Sequence, residues 1–208
     1  MSVQQAYNTW AATYNTDTNA TRDLDGQITR TLLAGQHYHS ILELGVGTGK
    51  NTSFFAQIGD RVVSVDFSSE MIKQASAKSY GKTPLFILAD LTNDWPCAES
   101  SVNLVTCNLI LEHIADLDGF FVKAHAALAM GGQFFISELH PFKQYQGKKA
   151  VYQHQGEKHE ILAFVHHVSD FVKAGEGAGF TLRHLGEWWD EADRQTPPRL
   201  ISFLFEKR

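Results

Sequence analysis

The chain is poor in the features that staple, anchor or strongly charge a protein. Two of its 208 residues are cysteine, and Cys97 and Cys107 form neither a CxxC pair nor a disulfide framework, so both are read as reduced thiols. With 18 Lys+Arg against 23 Asp+Glu the net charge is -5. No basic block stands out, which argues against nucleic acid as a partner because phosphate neutralisation dominates such binding. No stretch approaches the roughly 18 apolar residues of a membrane span. The opening "MSVQQAYNTWAATYN" has neither a positive n-region nor an apolar h-region, so no leader, no membrane anchor and a cytoplasmic location are expected. Repeats, low-complexity tracts and Pro/Gly/Ser linkers are also missing.

What is present is an ordinary globular composition, 43% hydrophobic and 12% aromatic. A chain of this length can bury roughly 70% of its unfolded surface without metal or disulfide support. A single domain over 1–208 is expected. From about Ser40 onward, "SILELG", "RVVSVD", "PLFILAD", "VNLVTCN" and "GQFFISE" are apolar nearly throughout, as parallel strands covered on both faces should be. Between them apolar residues recur at helical spacing, as at Phe54, Phe55 and Ile58 and at Phe120, Phe121, Ala124 and Leu128. This alternation predicts an α/β fold with a doubly wound, mostly parallel sheet.

Two regions depart from that rhythm. Residues 1–38 read as a helical cap, with Tyr7, Trp10, Ala11 and Tyr14 at i, i+3, i+4 and i+7. Residues 141–168 contain "AVYQHQGEKHEILAFVHH", two extended runs around a glycine turn, which reads as a hairpin inserted after the fifth strand. Ser169 and Asp170 offer N-cap chemistry for a helix ending near Gly175, Gly177 and Gly179. "FTLRHLGEW" and "LISFLFEKR" complete a seven-stranded sheet.

The chemistry concentrates where "ILEL" runs into Gly45-Val46-Gly47-Thr48-Gly49 and then a helix. Alternate glycines permit a tight turn and close approach of a ligand, and the next helix offers free N–H groups. The following strand ends in Asp66, about twenty residues after Gly45, where a carboxylate can accept from ribose hydroxyls. Asp90 and Asn108 end the third and fourth strands, so polar groups collect at the carboxyl edge, where open α/β sheets bind ligands. The pattern is GxGxG, followed by Lys50 and Asn51. It matches neither the dinucleotide GxGxxG nor the phosphate-binding GxxxxGK[ST].

"ILELGVGTGKNT", "VVSVDFSSEMI", "ILADLT", "LVTCNLILEHIAD" and "LAMGGQFFISELHP", in that order, resemble the successive motifs of class I S-adenosylmethionine-dependent methyltransferases of the small-molecule type. The N-terminal "YNTWAATYN" is similar to their cap segment. The resemblance covers about Tyr7 to Pro141 and implies a Rossmann-like fold, S-adenosylmethionine as cofactor and S-adenosylhomocysteine as product. It implies that Gly45 and Gly47 line the methionine part, that Asp66 holds the ribose and that Met71 packs on the adenine. Asp90 would accept from the adenine amino group with Leu91 beside it, Asn108 would lie near the methionine amine, and Tyr14 would cover that end. Glu43 and Phe67 complete the expected cofactor set.

The acceptor is expected to be a small molecule methylated on O, N or S. Alignment and water exclusion are then the main tasks, with a base wherever the acceptor must lose a proton. His140, just beyond the fifth strand, and His166 and His167, at the end of the hairpin, are the candidate bases. Glu112 and His113 resemble part of a metal set found in some quinone-pathway relatives, but Leu109 stands where that pattern has a further Glu, so no metal is expected. Trp95, Trp188 and Trp189 could furnish an aromatic wall. Two rivals share the fold: a protein that binds the cofactor without chemistry, and a nicotinamide-dependent oxidoreductase, which the glycine spacing disfavours. The sequence leaves the oligomeric state open.

Overall fold

The computed structural model describes residues 2–16, 18–154, 157–189 and 194–208. Two helices open the chain, α1 (Val3–Trp10) and α2 (Ala20–Leu33), followed by β1 (Tyr38–Leu44), α3 (Thr52–Ile58), β2 (Gly59–Asp66), α4 (Ser69–Ser76), β3 (Leu85–Leu88) and β4 (Val102–Asn108). A single 3-10 turn (Leu111–His113) precedes α5 (Leu117–Ala127) and the long β5 (Leu128–Leu139). Then come α6 (Pro141–Tyr145), β6 (Val151–His154), β7 (Glu157–Glu160), α7 (Val168–Gly177), β8 (Phe180–Trp188) and β9 (Leu200–Lys207).

The main sheet has seven strands in the order β3-β2-β1-β4-β5-β9-β8. Neighbours from β3 to β5 pair parallel, and β9 runs antiparallel to both β5 and β8. Strand order reverses between β1 and β4, the crevice where open sheets of this kind take ligands. Successive strand residues face opposite sides. Ile41, Leu104 and Phe135 accordingly pack with Ile28 of α2 and Phe55 of α3, while Leu42, Val105 and Phe134 pack with α5 and α7 through Phe121 and Phe171.

The N-terminal aromatic stripe is helical only as far as Trp10; turns follow, and Tyr14 meets the Trp10 ring edge-on with centroids 4.8 Å apart. Beyond β5 the chain first makes α6, with Pro141 in the first turn and His140 as the N-cap, because proline presets a helical φ and has no N–H to leave unpaired. The hairpin comes next, β6 pairing antiparallel with β7 from Val151↔Glu160 to His154↔Glu157; its glycine turn falls at 155–156, outside the described residues. The second extended run is a strand only to Glu160, and 161–167 carry no regular structure. Tyr152 and Ile161 pack against Ala6 and Trp10 of α1, so the insertion and the N-terminal helix hold one another. The last helix starts earlier than the Ser169-Asp170 signal suggests. His167 is its N-cap, and Asp170, at the third helical position, accepts from the His167 N–H at 2.8 Å.

Candidate active site

A cavity of about 950 Å3 opens at the carboxyl ends of β1, β2 and β4, roofed by α1 and the start of α2. Its floor is the glycine turn. Gly45 and Gly47 have φ of 74° and 51°, a region that glycine enters without steric cost, and no atom lies within 4 Å of the place a Cβ on Gly47 would take. Asp66 ties this turn to the next strand: Oδ2 accepts from the Gly47 N–H at 2.8 Å and Oδ1 from the Ser68 N–H at 2.9 Å. Burial pushes its carboxyl up to about 6 against the pull of these N–H donors.

Tyr14, Glu43, Gly45, Gly47 and Asp66 line the cavity, as do Phe67, Met71, Asp90, Leu91 and Asn108. Several of them also serve the fold. Glu43, pushed to about 7 by burial, accepts from Ser64 Oγ at 2.6 Å and from Thr52 Oγ1 at 2.8 Å. Asp90 Oδ1 turns the chain by accepting from Thr92 N at 2.9 Å. Asn108 directs its amide toward α2, donating to Asp25 Oδ1 at 2.7 Å and Thr29 Oγ1 at 3.0 Å.

The cavity also contains groups that sequence reasoning passed over. Asp25 is buried between Asn108 and Asn51, whose Nδ2 donates to it at 2.8 Å. Arg22 donates to the Tyr14 carbonyl and places its guanidinium 4.0 Å from the Tyr14 ring centre. On a polar helix such residues look like a solvated face, so no local signal separates them. Tyr7 and His113 form a pair in the wall, Oη to Nε2 at 2.9 Å, while His113 Nδ1 lies 2.8 Å from the Leu162 carbonyl oxygen. A carbonyl accepts only, so Nδ1 carries the proton, Nε2 is the acceptor, and the Tyr7 hydroxyl donates to it. Burial lowers the His113 pKa and raises that of Tyr7 well above its ordinary value, leaving both neutral.

Residues 42–136 match a family described as a methyltransferase domain. That stretch belongs to the methyltransferase family. Similarity extends to a malonyl-[acyl-carrier protein] O-methyltransferase of Hamiltonella defensa, 32% identical over 99 residues, covering 48% of this chain and 37% of that protein. An uncharacterized methyltransferase of Emericella nidulans is 24% identical, with 96% of this chain and 83% of the relative covered. The chain therefore spans a little over a third of the first relative's length and most of the second's. Among solved structures, the N-methyltransferase NodS of Bradyrhizobium japonicum in complex with S-adenosylhomocysteine superposes with a TM-score of 0.72 at 15% identity, covering 100% of this chain and 99% of that one. The fold is that of S-adenosylmethionine-dependent methyltransferases.

None of the three candidate bases lines the cavity. His140 is 1% exposed, accepts at Nδ1 from the Phe142 N–H at 3.1 Å and meets Glu187 Oε1 through Nε2 at 3.1 Å. Both ring nitrogens are committed to the fold, Nδ1 to capping α6 and Nε2 to Glu187 of β8. His166 Nε2 is 2.7 Å from the Ile114 carbonyl oxygen, and His167 Nδ1 is 2.5 Å from the Tyr145 hydroxyl at the start of α7. The aromatic wall is elsewhere too. Trp95 packs on Phe120 with centroids 4.9 Å apart, Trp188 Nε1 donates to Ser202 Oγ at 2.8 Å, and Trp189 Nε1 donates to the Thr196 carbonyl at 2.6 Å.

Proposed function

We propose that the chain binds S-adenosylmethionine along this cavity and transfers its methyl group to a small-molecule acceptor whose proton leaves through Tyr7 and His113. The observation that carries the reading is the joining of Gly47 to Asp66 on the cavity floor: it puts a backbone without a Cβ and a carboxylate in one wall. The cavity's 950 Å3 lies within the range of small-molecule sites.

The residues present suit the cofactor. Asp66 would accept from the ribose hydroxyls, each of its oxygens having a lone pair beyond the one used by Gly47 or Ser68. Gly45 and Gly47, with Tyr14 above and Asn108 beside them, would border the methionine part. Phe67, Met71 and Leu91 would supply apolar contact to the adenine, with Asp90 as acceptor for its amino group and Glu43 stiffening the turn beneath. Bound S-adenosylmethionine would supply an electrophilic methyl carbon on a sulfonium, to which the acceptor's lone pair would bond in line as the S–CH3 bond breaks and its electron pair stays on the departing sulfur. Tyr7 takes the acceptor's proton as its own passes to His113 Nε2, so the relay needs no ionised side chain at the start. An O or N acceptor that loses a proton on methylation fits this arrangement.

Calorimetric titration with S-adenosylmethionine and S-adenosylhomocysteine, with NAD as control, tests the cofactor. Micromolar binding of the first two and none of NAD is expected, and the reverse sinks the reading. With an acceptor found from a panel of phenols, amines, carboxylates and thiols, Tyr7→Phe and His113→Gln should lower kcat by about 100-fold, the scale of lost proton transfer. Their S-adenosylhomocysteine affinity should stay unchanged. Wild-type kcat should hold through the ordinary imidazole range and fall only at more acidic pH, because burial lowers the His113 pKa and His113 loses its role as acceptor only once it is protonated.

A further inference from the structure

Glu138, near the end of β5, is 2% exposed, and its Oε1 accepts from two successive backbone amides, Ile110 and Leu111, at 2.8 Å each. The residue before them, Leu109, has φ of 57°, the left-handed region in which an L-residue's Cβ crowds the following carbonyl oxygen. The Leu109 N–H donates to the Ser137 carbonyl at 2.9 Å. Three consecutive N–H groups of the turn after β4 are thus held by two residues of β5. Leu109 and Ile110 line the cavity, and the Ile110 side chain lies flush on Gly45, its Cγ2 only 2.3 Å from where a Cβ on that glycine would stand.

We propose that Glu138 is a positioning residue that grips the Ile110 and Leu111 amides, holds the strained Leu109 turn and so fixes the cavity wall closed over Gly45. A backbone outlier that persists must be over-determined by its surroundings, and this one is held from a single strand end. Burial pushes the Glu138 carboxyl well above the ordinary carboxylate range, with the Leu111 N–H pulling the other way and Glu112 adding to the rise. The neutral acid keeps a carbonyl oxygen for both amides, and glutamine offers the same oxygen. Coupling of the grip to cofactor affinity rests on the function proposed above; the grip itself does not.

The test compares Glu138→Gln, Glu138→Asp and Glu138→Leu in the full chain by amide hydrogen exchange of peptides spanning 108–114 and by titration with S-adenosylhomocysteine. Glu138→Gln should match wild type in exchange and bind within about twofold. Glu138→Leu should exchange about tenfold faster in 108–114 with β9 unchanged, and bind about tenfold more weakly, the scale of two lost hydrogen bonds. Glu138→Asp, one methylene short, should lie between, and it decides against Glu138→Gln if the leucine variant does not fold. Unchanged exchange in 108–114, or faster exchange spread evenly through β9, overturns the grip. Faster local exchange with wild-type affinity overturns its coupling to the cavity. Absence of binding by wild type sinks the cofactor reading instead, while the exchange arm still decides the grip.

Discussion

Beneath β5, β9 and β8 the interior is aromatic. Phe121 meets Phe134 and Phe205 edge-on with centroids 5.2 and 5.3 Å apart, and Phe171 stacks on Phe203 at 4.9 Å. At the carboxyl ends of β1, β2 and β4 of the same sheet, the interior instead holds Glu43, Asp66 and Asp25, glycine backbone at positive φ and a cavity. The aromatic half gains its stability from apolar area and close packing. The polar half carries desolvated carboxylates and strain, which cost stability and persist at functional sites. One region holds the fold while the other is held by it.

That contrast can be broken from either side. Phe134→Ala should have the largest effect, about 3–5 kcal/mol lost in denaturant unfolding through cavity formation, with S-adenosylhomocysteine affinity unchanged wherever the variant is folded. Lost affinity without lost stability there would erase the distinction. Asp66→Ala should weight the other side, weakening S-adenosylhomocysteine about 100-fold, equivalent to roughly 2.7 kcal/mol, with a loss of stability smaller than that of Phe134→Ala, about 1–3 kcal/mol, from the Gly47 and Ser68 N–H groups left unpaired.

A pH titration of stability sharpens the comparison further. Glu43 is raised from 4.5 to about 7 in the folded state, so its contribution is fully present below about pH 4.5 and is lost as pH rises through 7. Glu43→Gln should therefore lose less stability across that window than wild type, the remaining slope coming from the other carboxyls that burial raises, Asp25, Asp66, Glu112 and Glu138. Equal slopes would mean that Glu43 ionises in the fold without penalty. The smallest effect on turnover belongs to His140→Gln, placed outside the cavity. Its kcat should stay within about twofold of wild type, with the cost appearing as a lower melting temperature.

The strands were legible because apolar runs bounded by turn residues mark buried parallel sheet, and β8 begins and ends at the bounds of "FTLRHLGEW". The cavity wall was legible because glycine spacing and acids at or just beyond strand ends are local signals. Which histidine lines the cavity was not legible for a physical reason: proximity in sequence to the carboxyl edge says nothing about where an imidazole spends its two nitrogens. His140 spends them on Phe142 and Glu187, whereas His113 shares one with Tyr7, 106 residues away.

By itself the sequence determined the alternation of strand and helix, the glycine turn and the acids at strand ends, because each follows from periodicity or backbone sterics within a few residues. Tertiary structure alone decided which groups share the cavity. Asp25 meets Asn108 across 83 residues and Glu138 meets Ile110 across 28, contacts that exist only once the parallel strands bring their carboxyl ends together.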